Sequence, residues 1–93
     1  MTGSERAALR KSANTLTPVF QIGKADITQN VIEAVDAALE KRELIKLSVL
    51  ESASVTAREA AAALAEATGA EIIQCIGRKL VLYRKSEKQK ESE

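Results

Sequence analysis

Ninety-three residues, 45% hydrophobic and 29% charged, describe one small folded domain rather than a disordered chain or a multidomain one. With no histidine and a single cysteine, Cys75, the chain lacks a Cys-His pair, a Ser-His-Asp triad, an internal disulfide and a metal site built on nitrogen ligands. The net charge of +1 hides an uneven distribution: Arg6, Arg10, Lys11 and Lys24 face only Glu5 in the first stretch, and Arg78, Lys79, Arg84, Lys85, Lys88 and Lys90 outnumber Glu87, Glu91 and Glu93 in the last, while the middle is acidic.

In chain order, Ser4 to Asn14 reads as a helix capped by Ser4, with a thin apolar stripe through Leu9 and Ala13. Arg6, Arg10 and Lys11 lie off that stripe. Pro18 precedes the first strand, Val19 to Ile22, because proline cannot donate to an interior ladder. A second helix spans about Thr28 to Arg42. Thr28 suits its N-cap and Ile27 with Ile32 the N′ and N4 positions of a hydrophobic staple; Asp26 is the alternative cap. Val31, Ile32, Val35, Ala38 and Leu39 form its apolar face, with Glu33, Asp36 and Glu40 on the other side.

Leu44 to Leu50 alternates with period two, Ile45, Leu47 and Val49 inward and Lys46 and Ser48 outward. Thr56-Ala57-Arg58-Glu59 is a capping box opening a third helix that ends at Gly69, a natural C′ residue. Its alanine run makes a slim helix that can approach a sheet closely, with Leu64 as the anchor. Ala70 to Ile76 is the third strand, Gly77 to Lys79 a tight turn, and Leu80 to Arg84 the fourth strand of a hairpin. Residues 87–93 read as a disordered charged tail, leaving 1–86 as the single domain.

The resulting order is α-β-α-β-α-β-β: a compact α/β domain. Strand–helix–strand crossovers predict that strands one, two and three run parallel. Their C-terminal ends then share one edge, where ligands bind in open α/β sheets. That edge gathers the turns Gly23–Asp26, Glu51–Val55 and Gly77–Lys79, and places Lys24 beside Arg78 and Lys79. The strand-to-helix turn Gly23-Lys24-Ala25-Asp26, leading to Thr28, offers backbone N–H groups and a helix N-terminus to an anion. Read without its neighbours, it is first a surface turn with no ligand, because a single glycine before a helix is common.

No Gly-x-Gly-x-x-Gly or P-loop pattern occurs, and Asp26 stands beside its turn without a base partner, so no enzyme is expected. Phe20 and Tyr83 are the only aromatic rings, too few for an RNA-recognition-motif stacking sheet. Clamping of a sugar-phosphate chain by a loop, as the Gly-x-x-Gly loop of KH domains does, remains open. No apolar run approaches the roughly 20 residues of a bilayer span, and the first residues lead into no apolar signal segment. Cys75 within an apolar run suits a buried thiol in a reducing cytosol, with a reactive thiol as the alternative.

Gly23-Lys24-Ala25-Asp26-Ile27-Thr28, Glu43-Leu44-Ile45-Lys46-Leu47, Thr68-Gly69-Ala70 through Gln74, Ile76-Gly77 and Val81-Leu82-Tyr83-Arg84 together resemble the bacterial single-domain CRM proteins, the YhbY-like group. The resemblance runs from about Arg6 to Ser86. It implies a four-stranded mixed sheet similar to the C-terminal domain of translation initiation factor three, with a KH-like loop. It also implies a non-catalytic, monomeric, cytoplasmic RNA-binding protein that needs no cofactor and associates with rRNA in precursors of the large ribosomal subunit. The RNA-binding residues it implies are Gly23, Lys24, Ala25, Asp26 and Thr28, with Arg10, Lys11, Arg78 and Lys79 nearby. Asp26 replaces the second glycine of the family's loop, so either the clamp is weaker or Asp26 turns inward as a cap. The alternative function is a protein-interaction module presenting Glu33, Asp36 and Glu40 to a basic ribosomal protein.

Overall fold

The computed structural model describes residues 2–24 and 27–85. Its elements are α1 (Gly3–Ala13), β1 (Phe20–Ile22), α2 (Gln29–Arg42), β2 (Leu44–Val49), α3 (Ala57–Thr68), β3 (Glu71–Ile76) and β4 (Lys79–Tyr83). The elements follow the expected order. The tail 87–93 lies outside the described residues.

The helix boundaries are set by local chemistry. Thr28 caps α2, its hydroxyl accepting from the Val31 N–H at 3.2 Å. Ile27 and Ile32, the N′ and N4 residues, both pack against the main core. Thr56 and Glu59 form the reciprocal capping box of α3, and Gly69 ends that helix in the left-handed region at φ 75°. At α1 the cap is Thr2 rather than Ser4: the Thr2 hydroxyl accepts from the Glu5 N–H at 3.2 Å, which places Ser4 inside the first turn. Glu43 makes the switch from α2 into β2 with φ 66°.

The sheet order is β1-β2-β4-β3. β1 pairs parallel with β2, while β4 pairs antiparallel with both β2 and β3. Strands β1, β2 and β3 therefore point the same way, as the crossovers predict, and their C-terminal ends share what we call the upper edge. The strand order adds a feature that the crossovers do not specify: β4 is inserted between β2 and β3. The β3–β4 turn is two residues, Gly77 and Arg78, with Lys79 already in the strand. Gly77 has φ 59°, the requirement at the first central position of a type II′ hairpin turn.

Two apolar layers hold the sheet. Helices α2 and α3 cover one face through Val35, Leu39, Ala60, Ala61 and Leu64, against Ile22, Ile45, Leu47, Leu80 and Leu82. The alanines let α3 lie close to the strands. Each large buried aliphatic side chain contributes about 1.5–3 kcal/mol relative to exposure. On the other face α1 packs a smaller cluster: Ala13, Leu9 and Leu16 against Ile73, Val81, Leu44 and Tyr83. Ser48 points to this second face but is 8% exposed, so the outward position expected for it is a covered one.

The lower edge is stitched by cations. The Arg84 guanidinium donates to the Asp36 carboxylate, to the Asp36 carbonyl at 3.1 Å and to the Thr68 carbonyl at 2.7 Å. It thus ties α2 to the C-terminus of α3. Arg6 donates to the Ile72 carbonyl at 2.7 Å and to Glu71 at 3.2 Å, fastening α1 to β3. Near Arg6, Tyr83 has its phenol pushed above the ordinary value, first by burial and then by the negative charges of Glu43, Glu5 and Glu71.

Arg84→Ala should destabilise the fold by about 1–3 kcal/mol, because it deletes charge-assisted bonds from a side chain only 20% exposed. Arg84→Lys should recover only part of this, since an ammonium lacks the fork that serves three acceptors. Urea unfolding midpoints measure both. A midpoint for the alanine variant equal to that of the native chain would show that the stitch contributes nothing.

Candidate nucleic-acid interface

The upper edge is built by the alignment of β1 with β2. The Leu50 N–H donates to the Ile22 carbonyl at 2.8 Å, carrying the parallel pairing past the last strand residue. Gly23 follows at once. Its φ lies outside the left-handed region, and a Cβ built there would stand 3.5 Å from Leu50 Cδ1 and from Ser52 Oγ, ordinary van der Waals contact. Backbone strain therefore does not demand glycine here. What glycine offers is an open approach to the backbone between the β1 turn and the Leu50–Ser52 loop.

On the other side of β2, the Val49 N–H donates to the Arg78 carbonyl at 2.7 Å, which fixes the hairpin turn against the end of β2. The Arg78 guanidinium lies 3.8 Å from the Glu51 carboxylate, with both side chains largely exposed. Such a pair contributes little and exchanges readily for another anion. The three turns expected at one edge do meet there. β2 lies between them, so the β1 and β4 backbones stand two strand spacings apart, about 10 Å, and Lys24 and Arg78 border the edge from opposite sides.

Lys79 is not part of the turn cluster in the way the sequence suggests. Paired with Ser48 and Ile76, it turns onto the sheet face that α1 covers lower down. There it borders a depression of about 190 Å³ with Asn14, Lys46, Gln74, Ile76 and Val81. Lys46 was not among the expected site residues, although its outward place in the period-two pattern of β2 was a signal for it. Arg10 and Lys11 lie exposed in the last turn of α1, just before Asn14, flanking the sheet face rather than the turn edge. Thr28 is occupied as the cap of α2. Ala25 and Asp26 lie outside the described residues, although Thr28 rather than Asp26 holds the N-cap position.

Not all the basic residues of the two chain ends converge. Arg6 and Arg84 are spent at the lower edge in contacts with Glu71 and Asp36. The upper edge and adjoining sheet face keep Lys24, Arg78, Lys79 and Lys46. Among the described residues no group of three His, Cys, Asp or Glu side chains is placed to hold a metal ion.

These basic residues sit on a small mixed α/β sheet with a basic upper edge. The sequence places the protein among known ones: the chain belongs to the CRS1 / YhbY (CRM) domain family, whose model matches residues 1–84. It is 40% identical to "Probable RNA-binding protein YqeI" of Bacillus subtilis over the whole chain and 97% of that protein. It is 36% identical to "Probable RNA-binding protein MJ0652" of Methanocaldococcus jannaschii, over 94% of this chain and 66% of that one. The solution structure of the hypothetical protein SAV1595 from Staphylococcus aureus superposes with a TM-score of 0.76 at 44% identity, covering 92% of this chain and 90% of that one.

Gly23→Ala should fold with a stability within about 0.5 kcal/mol of the native chain, because the added methyl meets only ordinary contacts. Thermal unfolding checks this. A loss well beyond that value would mean that the turn depends on glycine for folding rather than for access.

Proposed function

We propose that this protein is a non-catalytic RNA-binding module. It acts as a cytoplasmic monomer, binds rRNA in precursors of the large ribosomal subunit and assists their assembly. The observation that carries the reading is the meeting of the β1 and β3 turns at the end of β2, which sets Lys24 and Arg78 on either side of an accessible backbone. Membership of the CRM family, and relatives named as RNA-binding proteins, support a nucleic-acid partner over another polyanion. The Gly23-Lys24 turn then meets the sugar-phosphate chain, with Arg78 exchanging Glu51 for a phosphate. Ala25 and Asp26 complete this turn in the sequence. Arg10 and Lys11 add long-range attraction from the α1 flank.

The alternative, a protein-docking surface on Glu33, Asp36 and Glu40, has less to offer. Asp36 is held by Arg84, and Glu33 accepts from Gln29 at 3.2 Å.

Binding to a structured rRNA fragment should weaken linearly on a log–log plot against salt, as counterion release requires. Lys24→Glu should lower affinity by about tenfold and reduce the salt slope by about one, while leaving the unfolding midpoint unchanged. Fluorescence anisotropy at several salt concentrations reads both quantities. Unchanged affinity and slope would remove the turn from the interface. Cosedimentation with large-subunit precursors, with no affinity for the naked fragment at low salt, would favour the protein-docking alternative.

A further inference from the structure

Helix α1 covers only the lower part of its sheet face. Its apolar contacts reach Leu44, Ile73, Val81 and Tyr83 and stop there. Above them the face is open on β3 and β4, though Ser48 on β2 is covered, and Ile76 is 65% exposed, the most of the large hydrophobic side chains among the described residues. A single exposed isoleucine is ordinary on a protein surface. This one borders a depression whose rim carries two lysines and the amides of Asn14 and Gln74.

Register fixes the spacing of those lysines. Lys46 is opposite Val81 and Ser48 opposite Lys79, so Lys46 and Lys79 are diagonal neighbours on one face, about 7–8 Å apart. Neither has an ion pair among the described residues, and no acidic side chain lines the depression. Lys79 directly follows Arg78, so the positive surface runs without a break from the turn edge onto the sheet.

We propose that this open half-face binds a single-stranded RNA segment that continues from the turn edge. Lys46 and Lys79 hold its phosphates, Ile76 packs against a sugar or base between them, and Asn14 and Gln74 offer hydrogen bonds. The inference rests on the RNA-binding reading and extends it. Charge selects a polyanion. The small concave floor admits one strand and not the width of a duplex, and a single apolar contact gives little preference among bases.

The test compares an RNA hairpin with the same hairpin carrying a short single-stranded extension, using the full chain. The extension should raise affinity about fivefold for the native protein. Lys46→Gln/Lys79→Gln should lose that increment, keep its affinity for the blunt hairpin within twofold and shallow the salt slope on the extended RNA by about 1.4, two single-strand contacts. Ile76→Ser, at an exposed position, should lose part of the increment without changing the unfolding midpoint. If the native chain binds both RNAs equally, with Lys24→Glu weakening both, the sheet-face path is wrong and the turn-edge reading stands. If the native chain binds neither RNA, both are wrong. Equal binding to both RNAs, together with loss of the lysine variant from ribosomal particles, would assign the face to an acidic protein surface and overturn the RNA path.

Discussion

The structure depends on the antiparallel pairing of β4 with β2. Val49 donates to the Arg78 carbonyl at the upper end, and Arg84 donates its backbone N–H to the Glu43 carbonyl at the lower end, so the two strands are closed over their whole length. β4 also pairs with β3 on its other side and sends side chains into both cores, Leu80 and Leu82 into one and Val81 and Tyr83 into the other. Without it, β3 would have no hydrogen-bonded link to the β1–β2 pair. The pairing that holds the sheet together also sets the Gly77-Arg78 turn against the end of β2. Stability and the placement of the interface thus follow from the same ladder.

Charge is divided along this sheet. At the lower edge, cations meet fixed acceptors: Arg6 meets Glu71 and the Ile72 carbonyl, Arg84 meets Asp36 and the Thr68 carbonyl. Tyr83 stands at the same edge, its phenol raised first by burial and then by Glu43, Glu5 and Glu71. At the upper edge the one ion pair among the described residues, Arg78 with Glu51, is long and solvated. The lower-edge cations are neutralised by their partners, while Lys24, Lys46 and Lys79 have no ion pair among the described residues. A chain with a net charge of only +1 can in this way present a directional field that its composition does not reveal.

Much of this was legible in the sequence because it is local. Thr28 and Thr56 announce their helices through side-chain bonds made within three residues, Gly69 through its positive φ, and β2 through its alternation. The common direction of β1, β2 and β3 followed from their helical crossovers. The insertion of β4 was not legible, because strand order depends on contacts between distant segments and two neighbouring strands carry no label of who lies between them. The fate of individual cations was lost for the same reason. Arg84 and Arg78 look alike in the sequence, yet six residues separate a half-buried stitch from an exposed edge. Lys46 showed its outward direction, but only the short reach of α1 reveals the depression that it borders.

The aromatic rings bear on how such an interface would recognise its ligand. Phe20 packs against the main core and Tyr83 into the smaller one at the lower edge. Neither ring is available to stack a base at the upper edge. On the RNA-binding reading, the contacts left are lysine and arginine to phosphate, backbone at Gly23, and one aliphatic side chain at Ile76. Phosphate contacts fix position but carry no base sequence. Discrimination would then rest on shape: whether an RNA can place phosphates on both sides of β2 and send a free strand over the sheet. A rigid sheet suits that task, since its strand spacing sets the distances between cations, whereas mobile arginines in a loop would bind many more geometries.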